Sequence, residues 1–119
     1  MTRPAPAAPA TAAAIVRRYN SGMTISALLD LHIKSDALEQ APAALSDVLA
    51  TTRAFDGCLG VDVLIDNADP THFVVVESWA SLEHDSAYRA FRQTPAGASA
   101  LGRLLAEAPT LTICTKSDI

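Results

Sequence analysis

The chain has 119 residues, half of them hydrophobic, which supports one compact domain with a core and little room for a second. Arg3, Arg17 and Arg18 lie among the first 22 residues without an acid, so residues 23–119 carry six basic and thirteen acidic groups, a net of −7. An acidic body excludes nucleic acid as a partner, because phosphate backbones need clustered Lys and Arg, and no apolar run approaches the roughly 18 residues of a membrane span.

Residues 1–22 are Pro- and Ala-rich and close with Asn20-Ser21-Gly22. That composition predicts a flexible arm, with a short helix over 11–19, ahead of a domain over 23–119. Met23 is an alternative start. The apolar stretch from Ala12 to Val16 is too short for a signal peptide and runs into Arg17-Arg18, while the acid-free Arg, Ala and Thr content fits a transit peptide loosely. A cytoplasmic setting is the default expectation.

Residues 24–33 read as a strand, ending at Lys34-Ser35-Asp36. Leu38, Ala41, Leu45, Val48, Leu49 and Thr52 then fall at helical spacing. Asp36 and Glu39 fit a capping box, but Pro42 would then sit past the first turn and kink the helix; the alternative is a regular helix beginning nearer Gln40. Gly57 ends it. A second strand over 58–65 alternates Val61, Val63 and Ile65 with Asp62 and Asp66. Asp66-Asn67-Ala68-Asp69-Pro70 is a turn by composition, and 72–79 is a third strand antiparallel to the second. Ser81 caps a helix to about Gln93, with Glu83 and Asp85 near its positive end. Thr94-Pro95 opens a further helix with Leu101, Leu104 and Leu105 on its buried face; Pro109 stops it before a last strand over 110–115. Cys58 and Cys114 are expected as reduced thiols in the core, since no redox or bridging motif accompanies them.

The order β-α-β-β-α-(α)-β is the split-βαβ, ferredoxin-like arrangement, an α+β fold with a four-stranded antiparallel sheet. Leu28 opposes Ile25, Ala27, Leu29 and Leu31 across the first strand, so both sheet faces carry apolar groups. This chain has helices for one face only, which predicts a homodimer with sheets packed face to face.

Several residues give these elements a family likeness. They are Lys34 after the first strand, Thr52-Arg53 before Gly57-Cys58-Leu59-Gly60, Asp69-Pro70 in the hairpin, and Phe73-Val-Val-Val-Glu77-Ser-Trp79. The helix bearing His84, Tyr88 and Arg92 follows, with Leu104-Leu105 and Pro109 at the exit. In these the chain resembles the antibiotic biosynthesis monooxygenase family of dimeric α/β barrels, over about residues 24–116. Haem-degrading members carry an Asn where this chain has Leu29, and an axial His about nine residues beyond the position of Tyr88, near Gly97. The chain has neither, which sets haem degradation aside. Many other members place a His where this chain has Tyr88, so that residue's role does not transfer unchanged.

Resemblance to the cofactor-independent branch implies that an electron-rich aromatic substrate (a hydroquinone, anthrone or phenol) is deprotonated and its anion reacts directly with dioxygen. No flavin or metal is then required. The sequence offers no phosphate-binding Gly loop, His-x-x-x-His or Cys-x-x-Cys pair. His84 is the proton-acceptor candidate, because imidazole titrates near neutrality; it reads equally as a surface His beside Glu83 and Asp85. Tyr88 is a candidate donor to substrate oxygen or a half-buried aromatic. Arg92 is a candidate anion holder or a cation suited to a helix C-terminus. Trp79 is a cavity wall or core. Glu77, in Val-rich strand sequence, needs a partner among Arg89, Arg92 or a second subunit. His32 and Asp30 share a strand face and suit a base-plus-orienter pair or a solvated strand end; His72 is expected in solvent. Rivals to the monooxygenase are a non-catalytic dimeric binding module and an isomerase or cyclase on the same scaffold.

Overall fold

The computed structural model describes residues 24–119. The arm over 1–22 and its short helix lie outside the described residues. Four strands, β1 (Ile25–His32), β2 (Cys58–Asp66), β3 (Asp69–Trp79) and β4 (Thr110–Thr115), form one sheet in the order β2-β3-β1-β4. Every pairing is antiparallel. Two α-helices, α1 (Ala41–Ala54) and α2 (Leu82–Arg92), complete the ferredoxin-like α+β fold. Among the described residues no helix is long and apolar enough to cross a membrane.

Strand alternation divides the sheet cleanly. Ile25, Ala27 and Leu31 of β1 join Phe73, Val75, Glu77 and Trp79 of β3 beneath the helices, with Leu45 and Leu49 of α1 packed on them. Ser26, Leu28, Asp30 and His32 point the other way, in register with Ser78, Val76, Val74 and His72. No described element covers this second face, and Leu64 of β2 lies on it 53% exposed.

α1 begins at Ala41 with Pro42 inside its first turn, where a missing N–H costs nothing. The later of the two starts is therefore the one adopted. Asp36 belongs instead to a separate 3-10 turn over Ser35–Ala37, capped at Lys34, so no box forms between Asp36 and Glu39. Gly57 closes α1 with φ of 88°, where side chains clash with their own backbone.

Three other expectations are corrected. β3 starts at Asp69, three residues earlier than 72, because Asp66 and Asp69 accept from the N–H groups of Ala68 and Thr71 and tighten the hairpin. The helix expected after Thr94 is two 3-10 turns, Pro95–Gly97 and Leu101–Leu104, with the glycines at 97 and 102 denying it a longer run. Cys58 and Cys114 are free and half-buried, not core thiols. Cys58 packs beneath the helices, whereas Cys114 pairs in register with Ser26 on the bare face.

Candidate functional site

A polar-aromatic cluster fills the space between the Trp79 end of the sheet and α2. β3 delivers Glu77 and Trp79 two residues apart on the helix-facing side, and α2 brings Asp85, Tyr88, Arg89 and Arg92 down one flank. The Ser81 hydroxyl fixes the start of α2 by accepting from the His84 N–H at 3.1 Å.

Trp79 is 0% exposed and lies 4.9 Å from the Tyr88 ring, with Phe55 edge-on to both. Its indole N–H donates to Glu77 at 3.1 Å. Glu77 is 2% exposed, and its charge is met by Arg89, which also donates to buried Asp85 at 3.0 Å. Of the three partners expected for Glu77, Arg89 is the one taken. Two buried carboxylates thus share one guanidinium, whose Nε has no described partner.

Tyr88 is buried, and its hydroxyl accepts from Arg92 Nε at 2.7 Å while lying 2.6 Å from the Thr52 hydroxyl. Thr52 lies within reach of the Val48 carbonyl at 3.3 Å, which makes Tyr88 the donor to Thr52 and satisfies every member of the chain. Arg92 also donates to the carbonyls of Gly97 and Val48 at 3.0 and 2.9 Å. Its charge therefore ties α2 to α1 and to the first 3-10 turn, beyond any compensation of a helix dipole.

His84 stands one turn before Tyr88 at the rim, its side chain 36% exposed. Nδ1 is 2.7 Å from the Ser81 hydroxyl, Nε2 is 3.6 Å from exposed Asp56, and the ring lies directly over Gly57.

Two cavities are described. One, of about 380 Å³, lies between α1 and the 3-10 turns, and Asp47, Thr51, Arg92, Ser99 and Arg103 are among its walls. The other, of about 350 Å³, lies between α1 and the β2–β3 strands, against Leu45, Arg53, Val63 and Phe73. Neither includes Trp79, Tyr88 or His84. Trp79 and Tyr88 pack against each other and against Phe55, with the His84 imidazole at the rim. Of the expected site residues, Arg92 lines the first of these two cavities.

His32 is corrected most plainly: residue parity puts it on the bare face, across the sheet from Glu77 and Trp79. There it stacks on His72, ring centres 4.7 Å apart, and Asp30 bonds His72 at 2.7 Å instead of pairing with His32. His72 is not in free solvent either, with Asp66 at 2.9 Å from its other nitrogen. The hydrogen bonds to Asp66 and then Asp30 raise the imidazole's titration above the ordinary range. His72 in turn holds Asp66 below the usual carboxylate range, and the Thr71 hydroxyl and N–H do the same for Asp69. Among the described residues no group of three or more His, Cys, Asp or Glu is placed to hold a metal ion.

Sequence reasoning reached Glu77, Trp79, Tyr88 and Arg92 but gave no role to Thr52, Asp47 or Arg103. Thr52 was legible as a helix-face position and as part of the family likeness, not as a partner of Tyr88. Nothing local marks Asp47 and Arg103, since they meet across a cavity that tertiary packing creates.

A family model described as antibiotic biosynthesis monooxygenase matches residues 24–101. No curated protein matches the chain by sequence. Among solved structures, a conserved protein from Methanosarcina mazei Go1 is similar at TM-score 0.71 and 14% identity, over 84% of this chain and 99% of that one. Rv0793 from Mycobacterium tuberculosis is similar at 0.67 and 21%, over 81% and 97%. A variant of SnoaB, a cofactor-independent oxygenase from Streptomyces nogalater, is similar at 0.69 and 13%, over 81% and 95%. At such identities the likeness carries the fold.

Proposed function

This chain belongs to the antibiotic biosynthesis monooxygenase family, and we propose that it oxidises a small, electron-rich aromatic molecule of the quinol, anthrone or polyketide kind with dioxygen and no cofactor. The reading is supported by family membership and by the likeness in fold to a cofactor-independent oxygenase. One observation carries its location: Arg92 lines the cavity of about 380 Å³ and donates through Nε to the buried Tyr88 hydroxyl. A cavity of that size suits a small ligand.

In this reading the substrate enters between α1 and the 3-10 turns. Arg92 and Arg103 face the oxygen that becomes anionic, and the Tyr88–Thr52 chain holds the Arg92 guanidinium in place. A carboxylate or imidazole takes the phenolic proton. The anion then passes an electron to dioxygen, the two radicals combine as a peroxide at carbon, and loss of water leaves the quinone. One dioxygen is consumed and one water formed per substrate. Asp47 is the carboxylate on the cavity wall; His84 at the rim is the other acceptor. Trp79 and Glu77 support the site from beneath.

Oxygen uptake with a panel of hydroquinones and anthrones tests the reading. Substrate-dependent uptake is expected, and its absence across the panel overturns the oxygenase. Comparing Asp47→Asn with His84→Ala assigns the base: a loss of about 10²-fold or more in kcat is expected for whichever takes the proton. Loss with His84→Ala alone moves the chemistry to the Gly57–Ser81 rim. The close packing of Trp79, Tyr88 and Phe55 favours a second reading, a non-catalytic binding module, which predicts saturable aromatic binding without oxygen uptake; an isomerase or cyclase would turn substrate over without oxygen.

The working unit in this reading is a homodimer in which a second copy covers the bare sheet face, in a cytoplasmic setting. Leu28, Val74 and Val76 form the half-buried apolar strip there, with Leu64 at its edge.

A further inference from the structure

The bare face carries an ionic arrangement that the proposed oxidation does not use. His72 Nδ1 and Nε2 lie 2.9 and 2.7 Å from carboxylate oxygens of Asp66 and Asp30. A neutral imidazole has one N–H, so both bonds are donated together only by the imidazolium. Besides the imidazole, Asp66 accepts from the Ala68 N–H at 2.8 Å. From β1, His32 stacks face-on at 4.7 Å, and its Nε2 is 3.9 Å from Glu107 after the second 3-10 turn. From the start of β3, Asp69 accepts from the Thr71 hydroxyl at 2.6 Å. β4 places uncharged Thr110 opposite Asp30, and β2 adds only Asp62, another carboxylate, to the same face. When His72 loses its proton, one of Asp30 and Asp66 loses the imidazole donor, Asp66 retaining the Ala68 N–H, and the face gains a negative charge.

From this geometry we infer that two copies of the chain pair through the bare face and that the pairing requires His72 to be protonated. The inference rests on the two-copy reading above and adds its regulation. A second copy doubles the carboxylates of Asp30, Asp62 and Asp66 gathered on the paired faces. The His72 imidazolium gives each of Asp30 and Asp66 a donor and cancels one of their two charges, beside the strip of Leu28, Val74 and Val76. Covering the bridge with a second sheet removes water from it, and there a carboxylate stripped of its donor costs far more than in solvent.

Sedimentation of the full chain over a concentration series, from about pH 6 to about pH 9, tests this. The dimer dissociation constant should rise at least about tenfold towards the alkaline end, as proton linkage requires. His72→Gln should flatten that dependence, while His32→Gln should keep it. Since His72→Gln can disturb the fold, the imidazole's own titration gives a second measure: by NMR, His72 in the wild-type chain should hold its proton to higher pH in concentrated than in dilute samples. A tight dimer with a flat pH profile, or a titration indifferent to concentration, overturns the inference and leaves the dimer standing. A monomer at every pH and concentration overturns the two-copy reading itself.

Discussion

At Glu77 the count of charges decides what a substitution costs. Glu77→Gln leaves Arg89 still paired with Asp85, so the guanidinium is not orphaned. A loss of about 1–2 kcal/mol, mostly one charge-assisted hydrogen bond, is expected by denaturant unfolding. Arg89→Met strands two buried carboxylates instead and should cost about 3–5 kcal/mol; the reverse ranking would show that the cluster's charges are balanced by something else. His72 gives a pH signature at the same scale. Its raised titration contributes stability that is whole below the ordinary imidazole range and is lost as pH rises through the raised value. The lowered titrations of Asp66 and Asp69 contribute stability present above the ordinary carboxylate range and lost as pH falls through their lowered values. The melting temperature should therefore peak at weakly acidic pH, and His72→Gln should remove the alkaline decline while leaving an acid limb from Asp69. An unchanged alkaline limb in that variant would assign the decline to other groups.

Between elements, the junction of α1, β2 and α2 depends on one glycine. Gly57 holds φ at 88°, its carbonyl accepts from the Ala80 N–H at 2.8 Å, and the His84 ring occupies the place where a Cβ would go. Gly57→Ala pays for backbone strain and for displacing the imidazole from Ser81, about 2 kcal/mol or more together. His84→Ala removes the second part, so the double variant should be less destabilised than the sum by about 1 kcal/mol in a thermodynamic cycle. Strict additivity would mean that the imidazole moves aside freely. The same junction marks how far the sequence reaches at this scale. Gly57 as a terminator, Ser81 as a cap and the α1 and α2 spans follow from local chemistry, which acts within a turn. Gly97 and Gly102 were local signals against a long helix there, but the Arg92 bond to the Gly97 carbonyl joins another element and was not legible. Asp36 and Glu39 matched a capping pattern that Pro42 overruled.

Across the whole molecule, the ferredoxin-like order was readable because strand alternation and short connections constrain topology strongly, and the family resemblance rested on the same residues. What was not readable is which side of the sheet each residue joins to which neighbour. Asp30 was paired in sequence with His32, two residues on, but the fold gives it to His72 of the adjacent strand, a partner 42 positions away. Trp79, Tyr88 and His84 show a second limit. Their spacing did put them on one side of the domain, and Phe55 from the end of α1 packs edge-on against the indole and phenol there. Volume is a property of the packed molecule, and no spacing rule reports it. The bare face, by contrast, was anticipated from strand alternation, since apolar groups on both sides of β1 and β3 exceed what two helices can cover. Leu64 offers the gentlest probe of it. The side chain is 53% exposed in the isolated chain, so Leu64→Glu should leave monomer stability within about 0.5 kcal/mol. On a face that meets its copy, the same change buries two added carboxylates per dimer beside Asp62 and the Asp30–His72–Asp66 bridge. Sedimentation should then show monomer at concentrations where the wild type is paired, at every pH. Retention of the dimer with unchanged affinity would place the interface elsewhere, with the exposed Leu111 and Ile113 of edge strand β4 as the next surface to test.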